Sequence, residues 1–478
     1  FYQASGGFGY RDQLQDVLAL LDTRPEVARE QISVAASRQF EEGDVLHWWH
    51  DAPLRGVRTR CSDDLLWLAY AVAEYVEVTA DTSILNDTAP FLQGEPLAAH
   101  ELEGYAEYQT GSQPASIYVH CYRAIDARIA FGAHGMPFIG TGDWNDGLNR
   151  VGEKGQGESV WMAWFLIIIC RRFAPLCREI KDDERANYYQ RIASDLLKHT
   201  QDSAWAGDWF LRGYFDDGTP LGSPGDMESE IDLNAQTWAV FADPKSERAR
   251  HAMEAVEEKL VDTEHRLIKL LAPPFEKTTH DPGYIRSYPP GVRENGGQYT
   301  HAAVWALWAA IEMGDKERAM RWFEWLNPLK RTTTDEEIQH YRLEPYVTAG
   351  DIYGIGEFAG RGGWSWYTGS AAWLYRIAIR QLLGLQRKGD KLFVRPSVPD
   401  SWPVFEATLS YQHAEYRLRI HEPSNIRNDE LYIINNGAVI DAQSIVLEEQ
   451  GQFDIDVFPS DAARRKWQST YESTSIEA

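Results

Sequence analysis

Cysteine is scarce in this sequence, and the spacing of the few cysteines argues against two kinds of site. Cys61, Cys121, Cys170 and Cys177 form no Cys-x-x-Cys motif. We interpret them as isolated thiols of a reducing compartment rather than as a disulfide framework or a zinc site. No cluster of histidine, cysteine and aspartate has metal-ligand spacing either, so the sequence predicts no metal and no organic cofactor.

Positive charge and long apolar runs are also lacking. The formal net charge is -25, and no run of lysine and arginine offsets it, so the surface would repel nucleic acid and anionic membranes. The longest apolar stretch, residues 160–170, ends at Arg171 and Arg172; it is too short to span a bilayer and predicts a buried helix. The chain has no initiator methionine and begins in what resembles the interior of a domain. We therefore expect a piece of a longer protein.

Tryptophan, in contrast, is abundant. The 478 residues include 18 tryptophans, and 12% of the chain is aromatic. Such a content is typical of proteins that stack indole rings on sugars, and also of large helical barrels that bury many rings. The 44% hydrophobic and 25% charged residues indicate a globular protein. Its length predicts two domains or one large barrel.

The apolar pattern is helical from about residue 10 to 385. Leu14, Val17, Leu18 and Leu21 recur at helical spacing, and Trp305 belongs to a similar later series. Between the helices lie loops rich in glycine, proline and aromatic residues, at 6–10, 140–147, 273–297 and 360–369. This alternation predicts helical hairpins in an (α/α) barrel, with function on the loop face. A helical solenoid is the rival, against which the lack of a fixed-period repeat counts.

The period changes near residue 385. Residues 391–396, 407–411, 416–420 and 431–434 alternate as strands do. We therefore predict a barrel domain over 1–385, a small C-terminal β-sandwich over 386–462, and a disordered tail over 463–478.

One loop carries the strongest chemical signal. Asp143-Trp144-Asn145-Asp146 lies between glycines and precedes the most apolar helix. An Asx turn is the ordinary use of such residues. A carboxyl group held against an indole and partly dehydrated would instead favour its protonated form, which suits a general acid at a glycosidic oxygen.

A second group decides between two reactions. An inverting hydrolase needs a base, for which Asp63, Asp64 and Glu294 are the nominees. A phosphorylase needs an anion pocket, because phosphate is itself the nucleophile. For that pocket the sequence offers Arg11, His301, Thr368 and Gly369, the last two just before a helix. Taken singly, the histidine and the Thr-Gly pair would be local helix caps.

Five ordered motifs resemble glycoside hydrolase family 94, which contains inverting glycoside phosphorylases. They are SGGFGYRDQLQD at 5–16, RTRCSDDLLWL at 58–68, IGTGDWNDG at 139–147, RENGGQYTH at 293–301 and WYTGS at 366–370. The resemblance spans residues 5 to about 411. Within the family, the chain resembles 1,2-β-oligoglucan phosphorylase and the C-terminal region of cyclic β-1,2-glucan synthase; the synthase region has a similar proline-rich loop, here at 273–291.

The resemblance implies a mainly α fold, an (α/α)6 barrel followed by a β-sandwich, and a role for each matching residue. Asp146 would be the general acid. Phosphate would be bound by Arg11, His301, Thr368 and Gly369, although an arginine in the family stands near both phosphate and sugar. The substrate-binding positions would be Asp12, Arg60, Asp63, Trp144, Arg293, Glu294 and Tyr299. No metal is implied.

The expected reaction is inverting phosphorolysis of β-glucosides to α-glucose 1-phosphate, with inorganic phosphate as co-substrate. Gly6 and Gly7 stand where disaccharide phosphorylases often have an arginine, which favours β-1,2-glucan chains as the substrate. An inverting hydrolase and a non-catalytic glucan-binding or chain-length-control domain are the alternatives.

The family's N-terminal β-sandwich and linker helices do not precede the barrel here, so we expect them in a longer chain, together with a homodimer. The resemblance implies a cytoplasmic location, or the cytoplasmic part of an inner-membrane synthase. No nucleic acid is expected as a partner.

Overall fold

The computed structural model describes residues 6–98, 100–427, 431–440 and 442–475. Ser5 of the first motif and residues 476–478 of the predicted tail lie outside this part. Helices dominate the chain up to residue 382, and one more helix lies near the C-terminus. Their bounds are α1 (Tyr10–Asp16), α2 (Pro25–Ala36), α3 (Leu66–Thr79), α4 (Ile117–Arg128), α5 (Val160–Glu179), α6 (Asp183–Ser203), α7 (Leu233–Ala242), α8 (Glu247–Lys259), α9 (Thr300–Glu312), α10 (Lys316–Leu326), α11 (Asp335–Tyr341), α12 (Thr368–Ile377) and α13 (Asp461–Ser475).

The strands are mostly short in the helical part and longer near the C-terminus. Their bounds are β1 (Phe8–Gly9), β2 (Leu46–Asp51), β3 (Leu54–Thr59), β4 (Thr88–Gln93), β5 (Glu103–Glu107), β6 (Gln109–Ser116), β7 (Glu158–Ser159), β8 (Gly213–Tyr214), β9 (Pro220–Leu221), β10 (Ile231–Asp232), β11 (Val261–Asp262), β12 (Leu267–Ile268), β13 (Leu271–Ala272), β14 (Gln298–Tyr299), β15 (Asp351–Ile352), β16 (Gly362–Trp364), β17 (Leu385–Lys388), β18 (Lys391–Val394), β19 (Val404–Tyr411), β20 (His413–His421), β21 (Tyr432–Asn435), β22 (Ala438–Ile440), β23 (Ile445–Val446) and β24 (Gln450–Phe458).

The inner helices contact one another in cyclic order. In the described part of the chain, α1 contacts α3, α3 contacts α5, and the series continues through α7, α9 and α12 back to α1. An outer helix packs against the inner helix that precedes it in each of the pairs α1–α2, α3–α4, α5–α6, α7–α8 and α9–α10. Inner helices such as α9 are buried on nearly every side, which is typical of helices enclosed by other helices.

Helix α5 is longer than the sequence predicts. It runs for 20 residues rather than 11, and by length and composition alone it could cross a membrane. However, 83% of its apolar window is buried inside the fold, where Trp161 stacks on Phe165 and on Trp305. The predicted buried helix is therefore present.

The inner helices begin at the same face as the short strands. Strands β1, β7, β10 and β14 each run directly into an inner helix, respectively α1, α5, α7 and α9. This arrangement brings the N-terminal ends of these helices and their loops together. A larger sheet with the order β1-β2-β3-β5 lies beside them; the sequence, read as helical throughout this region, did not predict it.

The C-terminal strands form two sheets over one apolar core. Their orders are β17-β18-β23 and β19-β20-β24-β21-β22, with β20 and β24 parallel. Both sheets contribute buried side chains to the core, among them Leu392 and Tyr416. The strands predicted in this region are therefore present, in two sheets.

The prediction of a disordered tail is wrong for residues 463–475, which belong to α13. Asp461 pairs with Arg464 and Arg465 in the first turns of this helix. Trp467 also packs against the rings of His421 and Phe458. The polar composition of the tail concealed this anchor.

Candidate active site

A cavity of about 330 Å³ opens where the inner helices begin. It is lined by Arg11, Asp12, Gln15, Trp144, Asp146, Tyr284, Tyr288, Arg293, Glu294, Tyr299, His301, Trp364 and Tyr367. The predicted site residues in this lining are Arg11, Asp12, Trp144, Asp146, Arg293, Glu294, Tyr299 and His301. Thus residues from three distant parts of the chain share one pocket. The lining does not include Arg60, Asp63, Thr368 or Gly369.

Arg11 is the centre of the charged groups in this cavity. Its Nη1 donates to Oδ1 of Asp63 at 2.7 Å and to the carbonyl oxygen of Asp143 at 2.9 Å. Its Nη2 donates to Oδ1 of Asp146 at 2.5 Å. Burial disfavours the charge of Arg11, but Asp146 and Asp63 outweigh burial and hold its pKa above the ordinary value. The guanidinium therefore stays a cation.

Asp63 lies behind Arg11 rather than in the cavity wall. It is fully buried, and its second oxygen accepts a hydrogen bond from Nε1 of Trp67 at 2.9 Å. A carboxylate occupied on both sides in this way orients the guanidinium; it does not contact the space where a sugar would bind.

The loop that carries Asp146 is anchored from below by Asp143. Arg212 Nη2 and Ser159 Oγ donate to the two Asp143 oxygens, each at 2.6 Å. Asp143 and Arg212 are both buried. Burial raises the pKa of Asp143, but the Arg212 cation outweighs it and the pKa is lowered. Asn145 accepts from the backbone N–H of Gly147 at 3.1 Å, so the Asx turn is present alongside the exposed carboxylate.

Asp146 contacts two cationic groups, whereas the sequence predicted an indole beside it. One is Arg11; the other is His47, whose Nε2 lies 3.8 Å from Oδ2 of Asp146. Trp144 points into a cluster of rings instead, edge-on to Tyr299 at 5.3 Å and to His301 at 5.4 Å. The side chain of Asp146 is 39% exposed, which leaves it accessible from the cavity.

His47 is a site residue that the sequence did not reveal. Its Nδ1 lies 2.7 Å from Oδ2 of the buried Asp64. Burial lowers the pKa of His47, but Asp64 and Asp146 together raise it to about 9. Leu46 pairs with Arg58 and Trp48 with Val57, so His47 is an extra residue in β2. Such bulges redirect side chains near active sites, and no motif in the sequence announces one here.

His301 lines the cavity, and Gly369, outside the lining, lies next to it. His301 is 4% exposed, and its Nε2 has no hydrogen-bond partner among the described residues. Burial, followed by the nearby Arg11 cation, lowers its pKa to about 3, so the ring is neutral. A Cβ atom at Gly369 would lie 3.3 Å from Nδ1 of His301.

The helix-cap interpretation of these residues is wrong. The N-cap residues of α9 and α12 are Tyr299 and Tyr367, and neither makes a side-chain cap bond. Thr368 Oγ1 instead donates to Oδ2 of Asp16 at 2.7 Å. Its side chain therefore fastens α12 to α1.

Arg293 and Glu294 form a charged pair on another wall. Arg293 has the left-handed φ of 51°, and its N–H donates to Oδ2 of Asp351 at 3.0 Å. Its guanidinium lies 4.5 Å from the ring centre of Trp364. Burial raises the pKa of Glu294 to about 7, and its Oε2 has no hydrogen-bond partner in the described structure.

Two other predicted site residues have distinct positions. Asp12 is in the wall, where it accepts a hydrogen bond from the Tyr367 hydroxyl at 3.2 Å. Arg60 is not: its side chain donates to the carbonyl oxygens of Glu101 at 2.7 Å and Ala98 at 2.8 Å. It lines a separate pocket of about 230 Å³. The prediction that Arg60 shares the site with the others is therefore wrong, because its side chain fastens a neighbouring loop.

The fold also assembles donor atoms that linear spacing did not reveal. His47, Cys61 and Asp146 offer one donor atom each within 4.8 Å of one another. Spacing along the sequence could not show this group, and the absence of a metal stays a prediction. Arg11 already brings a positive charge to Asp146, and a cation so placed opposes the binding of another.

Comparison with known proteins agrees with this geometry. Residues 1–384 match the family model described as the glycosyl hydrolase 94 superfamily, catalytic domain. The chain belongs to this superfamily. The match covers four fifths of the chain, and it confirms the resemblance drawn from the five motifs.

Curated relatives within this superfamily are longer proteins. Cyclic beta-(1,2)-glucan synthase NdvB of Rhizobium meliloti (strain 1021) is 47% identical over 449 residues, covering 94% of this chain and 16% of the synthase. N,N'-diacetylchitobiose phosphorylase of Vibrio proteolyticus is 29% identical, covering 91% of this chain and 55% of the phosphorylase. 1,2-beta-oligoglucan phosphorylase of Listeria innocua serovar 6a is 22% identical, covering 86% and 39%. The chain spans about half or less of each.

One solved structure supports the fold alone. The GH78 family rhamnosidase of Bacillus sp. GL1 aligns with a TM-score of 0.54 at 12% identity, covering 87% of this chain and 38% of that chain. At this identity the likeness concerns the arrangement of helices and not the chemistry.

Proposed function

We propose that the chain catalyses inverting phosphorolysis of β-glucosides, with β-1,2-glucan chains as substrate and α-glucose 1-phosphate as product. The observation that carries this proposal is the contact between Arg11 and Asp146 in the cavity that also contains His301. A carboxyl group for protonating a leaving oxygen and donors for an anion are the two requirements of the reaction, and both stand in this one cavity.

In the proposed step, phosphate binds to Arg11, His301 and the α12 N-terminus at Thr368 and Gly369. Asp146 gives its proton to the glycosidic oxygen, and the bond from that oxygen to the anomeric carbon breaks. A phosphate oxygen forms the new bond to the same carbon from the opposite side, which inverts it.

The sugar would occupy the remainder of the cavity. Asp12, Arg293, Glu294 and Tyr299 supply acceptors and donors for hydroxyl groups, and Trp144 supplies an apolar edge. Asp63 would act on the substrate only through Arg11. The β-1,2 linkage is proposed from the relatives, since the synthase and the oligoglucan phosphorylase are both named for β-1,2-linked glucans.

The surrounding architecture is part of the same proposal. We assign the cyclic helices to an (α/α)6 barrel over residues 1–385 and the two C-terminal sheets to a sandwich over 386–462. The similarity to a synthase favours a cytoplasmic portion of an inner-membrane protein, and a homodimer stays a prediction.

The test is production of glucose 1-phosphate from β-1,2-oligoglucan and from cellobiose, each with and without inorganic phosphate. We expect product only with phosphate and, on β-1,2-oligoglucan, loss of at least about 100-fold in kcat for Asp146→Asn, because removal of a general acid costs 10²–10⁴-fold. Asp202→Asn on the exposed surface of α6 is the control and should keep full activity. Release of free sugar at equal rates without phosphate would overturn phosphorolysis.

Two alternatives have specific support. Glu294 could serve as the base of a hydrolase, because it lines the cavity and burial raises its pKa to about 7. Asp63 and Asp64 are poorer bases, since Arg11, Trp67 and His47 already occupy them. Phosphate-independent hydrolysis that is lost in Glu294→Gln would favour this reading. Tight glucan binding without turnover would favour a chain-length-control domain, which the 47% identity to a synthase supports.

A further inference from the structure

The sheet beside the cavity carries a row of rings on its outer face. Strand pairing aligns Gly9 with Trp48, Trp48 with Val57 and Val57 with Tyr105, across β1, β2, β3 and β5. Paired residues share one face of a sheet. The rings of Trp48 and Tyr105 meet over Val57 with 5.5 Å between their centres and 34° between their planes. We call Trp48, Val57 and Tyr105 the aromatic row.

A polar row runs parallel to the aromatic row on the same face. His50 pairs with Arg55, and Arg55 pairs with Glu107. These residues lie two positions along their strands from the aromatic row, which keeps them on its side of the sheet. Arg55 Nη2 donates to Glu107 Oε2 at 3.1 Å, and both side chains are at least half exposed.

The opposite face of this sheet belongs to the core. Leu46 and Trp49 are buried, and a Cβ atom at Gly56 would collide with the Trp48 carbonyl oxygen and the Leu46 side chain. Tyr105, in contrast, is 55% exposed. The aromatic row is therefore not required to close the core at its outer end.

The aromatic row leads to the cavity. Gly9 pairs with Trp48 at the inner end of the row, and a Cβ atom at Gly9 would lie 1.9 Å from Oδ2 of Asp12, a residue of the cavity wall. His47, one residue before Trp48, reaches to 3.8 Å from Asp146. Strands are spaced by about 4.8 Å, so the three steps from Gly9 to Tyr105 make a path of about 14 Å. This length exceeds one sugar ring.

We propose that the aromatic row and its polar neighbours bind the part of a β-linked glucan chain that lies beyond Asp146, on the leaving-group side. This inference rests on the proposed function. A glucose ring has apolar C–H faces and a rim of hydroxyl groups. Rings of Trp48 and Tyr105 suit the faces, and His50, Arg55 and Glu107 suit the rim.

The direction of the chain follows from the position of the acid. Asp146 lines the cavity on one side and meets His47 of β2 on the other. The sugar that is cleaved off to phosphate occupies the cavity, and the glycosidic oxygen lies at Asp146. The rest of the chain must therefore continue past Asp146, and the face of β2 begins there.

The test compares substrate lengths rather than one rate. We would measure kcat/KM for phosphorolysis of the β-1,2-linked trisaccharide and of oligoglucans of six or more residues, in Trp48→Ala and Tyr105→Ala. We expect a loss of about tenfold or more on the long substrates in both variants, and a loss of less than about twofold on the trisaccharide in Tyr105→Ala, because Tyr105 lies at the far end of the aromatic row. Tyr375→Ala is the control, because this tyrosine is 51% exposed on α12 and lies outside both the aromatic row and the cavity lining.

Direct binding separates this inference from the proposed function. Calorimetric titration with a long oligoglucan, without phosphate, should show weaker binding in both variants than in the control even if no turnover occurs. Equal losses on short and long substrates, or unchanged affinity for the long one, would overturn the inference. The inference would also be overturned if Trp366→Ala, and not the two row variants, lost activity on the long substrates alone. Trp366 is 65% exposed beside Tyr367 of the cavity lining, so the glucan chain could leave the cavity past this ring instead. Thermal melting of Tyr105→Ala checks that the sheet stays folded.

Discussion

Nη2 of Arg11 lies 2.5 Å from Oδ1 of Asp146, so the proposed phosphate ligand and the proposed general acid touch before any substrate binds. The same guanidinium is held at 2.7 Å by the buried Asp63. Asp63 thus fixes the orientation of the Arg11 guanidinium on its buried side, and Nη2 of Arg11 faces the cavity.

Replacing Arg11 by lysine tests this double role. Lysine keeps the charge but lacks the planar fork that reaches Asp63 and Asp146 together, so we expect kcat/KM for phosphate to fall by about 100-fold. Initial rates at varied phosphate concentration measure the effect. Arg11→Met should in addition lower the free energy of unfolding by about 3–5 kcal/mol, because Asp63 is left buried without its cation. An unchanged phosphate dependence in Arg11→Lys would remove Arg11 from the phosphate site.

His47 makes a pH-dependent contribution to stability. Its pKa in the folded protein is about 9, against an ordinary value of 6.5. Because the folded value is the higher, the stabilisation is complete below pH 6.5 and is lost as pH rises through 9. The groups facing the ring are Asp64, Asp146 and, with the opposite effect, Arg11.

We therefore expect His47→Gln to be less stable than the parent protein at pH 6 and to approach it above pH 9. Urea unfolding followed by circular dichroism at several pH values gives the comparison. His251→Gln is the control, since His251 pairs with Asp208 on the exposed surface. A difference between parent and His47→Gln that is constant from pH 6 to 9.5 would contradict the assignment.

The sequence predicted those parts of the site whose signals are local or belong to complete motifs. Asp146 stands out because two carboxylates, an indole and glycines fall within a few residues, and the match to five ordered motifs located Arg11 and His301. The sequence could not predict the direction of side chains. Arg60 lies within one of the five motifs, yet its side chain turns away from the cavity and donates to backbone carbonyl oxygens.

Long-range contacts account for the remaining differences. His47 reaches Asp146 only because β2 has an extra residue and pairs with a sheet inside a mostly helical region. Likewise, Trp467 of α13 packs on rings of β20 and β24, although the composition of this helix is that of a tail. Neither relationship leaves a periodic pattern along the chain, so periodicity could not reveal it.

The buried pair of Arg212 and Asp143 should matter more for stability than any surface pair. Arg212→Met leaves Asp143 and Asp232 buried without their cation, and we expect a loss of about 3–5 kcal/mol in the free energy of unfolding. Arg150→Met removes an arginine that is 54% exposed and pairs with Asp281; it should cost no more than about 1 kcal/mol. Chemical unfolding of both variants makes the comparison. Similar losses in Arg212→Met and Arg150→Met would mean that the Arg212–Asp143 pair stabilises the Asp146 loop less than its contacts indicate.

Gly369 gives the most selective test of the phosphate-binding role proposed for His301. Its φ lies outside the left-handed range, so alanine fits the backbone, but the added methyl group would contact His301 at 3.3–3.5 Å. A contact this short is tighter than close-packed atoms normally make, so the His301 imidazole must shift slightly. We expect KM for phosphate to rise by about tenfold, the change that a displaced hydrogen bond of about 1.4 kcal/mol produces, with KM for the sugar nearly constant. Initial-rate kinetics with each substrate varied in turn separate the two constants. His301→Asn should give the same pattern without the steric cause, whereas an equal rise in both KM values would mean that Gly369 shapes the whole cavity rather than its phosphate end.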